Sequence, residues 1–263
     1  DPSIYPVYSS NPDLKDQMLG FQPTGCYSLN VNSKTYSDPK VREAIALSID
    51  RKAICESILH GTATVPNSYI PAGIIGHDDS LPEFEYDPEK AKSLLAEAGY
   101  ENGEGFPVVE YLYNTSDAHK AVAEALQYMW EEELGVKVTL NNQEWAAFLQ
   151  TRKDGDYSIA RNGWIADYND PISFLDMWMT GGGNNDAQYS NEEYDSLIKE
   201  AKTTTDVKER MELLHKAEDK IIGEDNALAP LYFYTQKYML ADGIEGMYYC
   251  PLGYFFFGYT HQA

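Results

Sequence analysis

Three Asp-Pro pairs, Asp38–Pro39, Asp87–Pro88 and Asp170–Pro171, each open an apolar-periodic segment, and they constrain this chain more than any other feature of it. Asp is a favoured helix N-cap and Pro suits the first helical position, so each pair marks a helix start. Around these starts lie short runs rich in β-branched and aromatic residues: CYSLNV (26–31), PVVEYLYN (107–114), VKVTLNN (136–142) and YSIARNGWIA (157–166). Strands that alternate with helices predict an α/β layer architecture with a mixed β-sheet flanked by helices.

The periodicity predicts one helix running from Asp38 to Gly61, with Val41, Ala44, Leu47, Ile54, Ile58 and Leu59 on its apolar face. A second follows Asp87 and stops at Gly99. A third, capped by Asp117, carries Ala118, Ala121, Val122, Ala125, Leu126 and Met129 on one stripe. EWAAFLQTRK (144–153) and PISFLDMWM read as shorter helices. Two more amphipathic helices carry Tyr194, Leu197, Ile198 and Ala201, then Val207, Met211, Leu214 and Ile221. ALAPLYFYT and KYML read as strands. Residues 61–86 hold Pro66, Pro71, Gly73, Gly76 and Pro82, and a loop of that length is functional or packed as a lid. Residues 1–20 read as an irregular lead-in and 241–263 as an aromatic tail; with no repeat and no linker, residues 1–263 read as a single lobe.

Charge and cysteine usage exclude several classes. With 20 Lys and Arg against 42 Asp and Glu the net charge is −22, which repels phosphate backbones and anionic lipid, so no nucleic-acid partner is expected. Cys26, Cys55 and Cys250 form neither a CxxC pair nor an even set, which argues against zinc and disulfide frameworks. Cys55 falls on a helix's apolar face, where a buried thiol is the expected state. The longest apolar cluster, YFFFGY (254–259), is too short to span a membrane. The opening DPSIYPVYSSNPD carries neither an initiating Met nor a signal peptide and reads as the middle of something longer, cut either by processing or by an imposed boundary.

Enzyme signatures are lacking. The five histidines are scattered and none lies in HExxH; GHDDS (76–80) could ligate a metal, but a solvated turn is the plainer reading. Gly181–Gly183 are not followed by the Lys-Ser/Thr of a phosphate loop, and no Ser stands in GxSxG. No catalytic residue, metal or cofactor is therefore assigned. Asn114-Thr115-Ser116 fits a glycosylation sequon only formally.

What remains suits a small zwitterion. Asp167 follows a strand and stands between Ala166 and Tyr168; it could take an ammonium group, or merely mark a turn. His119 and Lys120 lie in the first turn of the third helix, where an anion is favoured; an exposed helix start is the alternative. Arg152 and Arg161 are either site cations or surface ion-pair partners, and Trp145 and Trp164 either face a ligand or fill a core.

"LYNTSDAHK" (112–120), "NNQEWAAFLQTRKDGDYSIARNGWIADYNDPISFLDMW" (141–178), "NNDAQYSNEEYDSLIKEA" (184–201), "SDPKVREAIALSIDRKAI" (37–54) and "YDPEKAKSLLAEAGY" (86–100) together resemble the oligopeptide-binding proteins of bacterial ABC importers. The resemblance implies a periplasmic-binding-protein-like lobe, the C-terminal half of a two-lobed extracytoplasmic receptor, periplasmic or lipid-anchored. Its implied partners are an oligopeptide, ABC permease subunits and an N-terminal lobe that precedes this part. By position, Asp167 matches the residue that pairs with the peptide ammonium, and Gly163, Trp164 and Ile165 match the strand whose backbone adds the peptide as a β-ladder. Trp145, Arg152 and Trp164 match pocket-lining positions, while Arg161 and His119 match positions that meet the peptide carboxylate. Within the same fold, dipeptides, nickel chelates, haem or sugars are alternative solutes; a carboxylate-dependent hydrolase is a more remote alternative.

Overall fold

The computed structural model of the chain describes residues 2–263. It begins with helix α1 (Tyr5–Ser9), strands β1 (Met18–Phe21) and β2 (Gly25–Val31), helices α2 (Pro39–Leu47) and α3 (Arg51–Ala53), and strand β3 (Ala63–Thr64). Next come α4 (Pro88–Glu97), β4 (Val109–Asn114), α5 (Asp117–Leu134), β5 (Val138–Gln143), α6 (Trp145–Asp154) and β6 (Ile159–Ile165). Helices α7 (Ile172–Leu175), α8 (Glu192–Thr203) and α9 (Val207–Asp219) precede β7 (Leu228–Tyr234) and β8 (Gln236–Met239). Four short strands close the chain: β9 (Ile244–Glu245), β10 (Tyr248–Cys250), β11 (Tyr254–Phe256) and β12 (His261–Gln262).

The Asp-Pro pairs at 38, 87 and 170 each start a helical segment. The Asp38 carboxylate accepts the Lys40 amide at 2.9 Å, Asp87 accepts Lys90 at 2.9 Å, and Asp170 accepts Ile172 at 2.9 Å. The helix expected from Asp38 to Gly61 is in fact interrupted after α2. Asp50 begins a second start by accepting the Ala53 amide at 2.8 Å. Buried Arg51 takes up the Ala46 carbonyl at the end of α2 at 3.2 Å and also donates to the Pro230 carbonyl of β7 at 2.7 Å. The cap of α5 also differs from expectation: Ser116 holds the N-cap position without a side-chain bond, and Asp117 is the first helical residue.

Six strands form one mixed sheet in the order β3-β7-β2-β6-β4-β5. The β3, β7, β2 and β6 neighbours run antiparallel, whereas β4 is parallel to both β5 and β6. Alternation along the strands divides two cores. Tyr27, Leu29 and Val31 face α2, α4 and α5 beside Ile45 and Trp130; Cys26 and Phe233 face Phe174, Trp178, Tyr194 and Leu214. A register shift between β2 and β7 beside Pro230, which cannot donate to the ladder, brings Tyr232 onto Tyr27, with ring centroids 4.6 Å apart.

The middle of the 61–86 segment, around residues 68–74, is a strap packed into the second core, while residues 79–86 are mostly exposed. Tyr69 and Ile70 are fully buried, and their amides donate to one oxygen of buried Glu218 at 2.7 and 3.0 Å. The lead-in is more ordered than expected, because β1 pairs antiparallel with β8 from Met18↔Met239 to Phe21↔Gln236. Phe21 then stacks on Tyr249 of the tail at 3.9 Å. All three cysteines are free; burial pushes the Cys55 thiol up to about 12 and raises Cys26 further.

Candidate functional site

The site is built on β6. This strand pairs with β2 along its whole length, from Ile159↔Val31 to Ile165↔Gly25, while β4 accompanies it only at Ile159 and Ala160. Beyond Ala160, no strand among the described residues pairs with its far edge. The 2.8 Å bond from the Ala166 amide to the Thr24 carbonyl sets the phase of the ladder. Residues of that parity, Trp164 and Asn162, turn their peptide groups toward β2, so Gly163 and Ile165 turn theirs outward. An open edge of this kind is a template for another extended chain.

Arg161 lies on the same strand face as Gly163 and folds back along β6. Its guanidinium sits over the Tyr27 ring, 5.1 Å from the centroid, and Tyr27 is the β2 residue directly opposite Gly163. Nη2 donates to the Tyr234 hydroxyl at 3.3 Å, Nε is buried without a partner, and the group makes no ion pair among the described residues. Gly163 is what permits this arrangement: a methyl group there would lie 2.2 Å from the Tyr234 hydroxyl and 3.0 Å from Arg161 Nη2. A charged guanidinium backed by the phenols of Tyr27, Tyr111, Tyr232 and Tyr234 lacks a counterion, which an incoming carboxylate would supply.

His119, in the first turn of α5, is half-buried beside the same tyrosines, 5.8 Å from the Tyr27 ring. Burial, reinforced by the Arg161 charge, lowers its pKa to about 4, so the ring is neutral near pH 7. Nδ1 lies 3.2 Å from the Asn114 carbonyl and must carry the proton, which leaves Nε2 as an acceptor. His119 can therefore meet a carboxylate only by taking up a proton.

At the other end of the strand, Asp167 is exposed, and its amide donates to Ser173 Oγ at 3.0 Å. Its carboxylate makes no ion pair or hydrogen bond among the described residues. Asp167 shares a cavity of about 450 Å³ with half-buried Trp164, Tyr168, Ser173 and Gly181–Gly183. The indole Nε1 of Trp164 is buried and unpartnered, although its ring packs against the second core. The Gly triplet, read from sequence as a turn, is thus the rim of this cavity.

Trp145 stands apart on α6, half exposed and stacked on Phe148 at 5.7 Å. The Arg152 guanidinium is already committed: Nε donates to Asp186 at 2.8 Å and Nη1 to Asn162 Oδ1 at 3.0 Å, with both ion-pair partners 13% exposed. The structure therefore gathers Arg161, Gly163 and His119 at one end and Trp164, Ile165 and Asp167 at the other, while Arg152 holds β6 at the Arg161 carbonyl, 3.4 Å away, and at Asn162. Sequence reasoning missed Tyr27 and Tyr234, two among 21 tyrosines, because only sheet pairing singles them out. GHDDS forms no cluster of three or more candidate metal ligands among the described residues.

A mixed α/β lobe with an open strand edge, bounded by a free carboxylate and a guanidinium lacking a counterion, is a solute-binding architecture. The chain belongs to the bacterial extracellular solute-binding proteins, family 5, whose "Middle" family model matches residues 2–186. It is 34% identical over 243 residues to the oligopeptide-binding protein OppA of Bacillus subtilis, a match covering 89% of this chain and 44% of that protein. It is 37% identical over 225 residues to the periplasmic oligopeptide-binding protein OppA of Salmonella typhimurium, covering 84% of this chain and 41% of that one. Among solved structures, a periplasmic oligopeptide-binding protein of Borrelia burgdorferi superposes with a TM-score of 0.84 at 33% identity, over 93% of this chain and 49% of that chain. The chain thus spans less than half the length of these relatives, and the expected α/β binding-protein lobe agrees with them.

Proposed function

We propose that the chain supplies one lobe of an oligopeptide receptor that works outside the cytoplasmic membrane and delivers its ligand to an ABC permease. The observation that carries this reading is the outward-facing backbone of Gly163 and Ile165, set between the Arg161 guanidinium and the Asp167 carboxylate. A peptide laid along that edge pairs its main chain with β6 whatever its sequence, places its ammonium at Asp167 and offers its carboxylate to Arg161. The Arg161 head group lies at the level of Gly163, four positions from Asp167. At about 3.3 Å per residue that spans roughly 13 Å, which suits a ligand of about four residues. A longer ligand would carry its carboxylate past Arg161 toward His119. The other wall of the cleft belongs to a second lobe, in keeping with relatives about twice as long. Binding without turnover accords with the solute-binding family and with the absence, among the described residues, of a nucleophile–base pair at the edge.

The test is calorimetry on the full-length receptor. Asp167→Ala should weaken binding of free-amine peptides about 10- to 150-fold, as expected for loss of a charge-assisted pair. N-acetylation of the peptide should do the same to the unaltered receptor. Equal affinity in all three arrangements would remove the peptide assignment.

A further inference from the structure

A second cavity, of about 400 Å³, opens beside the carboxylate end of the site. Its walls include Leu59, Ala63, Ala118, His119, Tyr232 and Tyr234, closed on the far side by the β1–β8 ribbon and the first residues of the chain. The surface is mainly apolar. Among the described residues that line it, Lys237 alone is formally charged, and its ammonium lies 5.4 Å above the Tyr5 ring. Two of the walls are shared with the carboxylate subsite. Tyr234 bonds Arg161 through its hydroxyl while its ring faces the cavity, and His119 adjoins both.

We infer that this cavity is a pocket for a large apolar side chain on the ligand's carboxy-terminal residue, the residue whose carboxylate Arg161 holds. The inference rests on the peptide reading above. A carboxylate at Arg161 places its own α-carbon next to Tyr234, and a side chain leaving that carbon on the tyrosine face has this cavity as its nearest recess. The volume lies at the small end for ligand sites, which suits one aromatic or branched side chain rather than a separate molecule. A cationic side chain would meet Lys237. An acidic one would lose its hydration for a single ammonium already placed over a ring.

The experiment is calorimetry on the full-length receptor with tetrapeptides identical except for the last residue, Phe, Leu, Gly, Lys or Asp. Phe and Leu should bind about tenfold to a hundredfold more tightly than Gly, the gain expected from burying one such side chain. Ala118→Leu, which fills the cavity from the first turn of α5, should cut the ratio of Phe to Gly affinity to less than about threefold. A flat series, tighter binding of the Lys or Asp peptide, or a full Phe advantage surviving in Ala118→Leu would overturn the inference. The series on the unaltered receptor decides alone if the variant does not fold. Failure of the peptide reading is distinguishable, since Asp167→Ala and Arg161→Ala would then leave every peptide's affinity unchanged.

Discussion

Replacing Gly163 with Ala puts one methyl group where the Arg161 site has least room. That methyl would stand 2.2 Å from the Tyr234 hydroxyl oxygen and 3.0 Å from Arg161 Nη2, while the Tyr234 ring carbon bearing the hydroxyl is 3.4 Å away. The oxygen must therefore retreat by more than 1 Å. The ring cannot swing freely, because it meets Tyr232 edge-on at 5.9 Å and Tyr27 at 6.5 Å. Overpacking of this kind costs about 1–3 kcal/mol. Replacing a strand glycine returns about 0.5–1 kcal/mol of that through the unfolded chain, so a net loss between about 0 and 2.5 kcal/mol is expected. Tyr234→Phe alone should cost about 1 kcal/mol, the worth of its hydrogen bond to Arg161. In the double variant the offending oxygen is gone and the remaining 3.4 Å contact is tolerable. The double variant should therefore be about 1–2 kcal/mol less destabilised than the sum of the two singles. Urea unfolding measures this cycle, with an unchanged denaturant slope as the check that only stability moved. Additive costs in this cycle would refute the claim that Gly163 exists to seat Tyr234 and Arg161.

His119 makes a prediction with a definite sign. Its folded pKa, about 4, lies below the ordinary value of 6.5, so the unfolded chain takes the proton first. The stabilisation from the neutral ring is whole above about pH 6.5 and is lost as pH falls toward about 4. Unfolding free energies compared at pH 7 and pH 4.5 should show a steeper acid loss for the unaltered chain than for His119→Gln, and parallel slopes would refute the assignment. For Glu218→Ala, the amides of Tyr69 and Ile70 lose their shared buried acceptor, at about 1–3 kcal/mol each. Hydrogen exchange at those two amides should quicken and stability should fall by at least about 2 kcal/mol; unchanged exchange would mean that Glu218 does not anchor the strap.

Much of the fold was legible where chemistry is local. Asp-Pro caps and period-2 runs located the start of α2, and α4 and β4 to β6 to within a few residues, because an N-cap or a pleat reports on its immediate neighbours. The helix drawn from Asp38 to Gly61 failed for the opposite reason. Its apolar stripe is continuous, yet Arg51 trades helical bonds for a carbonyl on β7, a strand that begins well over a hundred residues later. β1 escaped notice likewise, since among the described residues it pairs with β8 alone.

For the site, the chain by itself determined which groups are on offer: Asp167 just past a strand, Arg161 and Gly163 within it, His119 at a helix start. Residue order suffices for that, because strand parity places Arg161 and Gly163 on one face. Which of these charges are unpaired was decided only by the tertiary structure. Arg152 and Arg161 read alike in sequence, yet one is consumed by Asp186 and the other is left over tyrosines without a counterion. The open edge of β6 was decided there too. It exists because β4 leaves β6 after Ala160, and a strand carries no local record of where its neighbour departs.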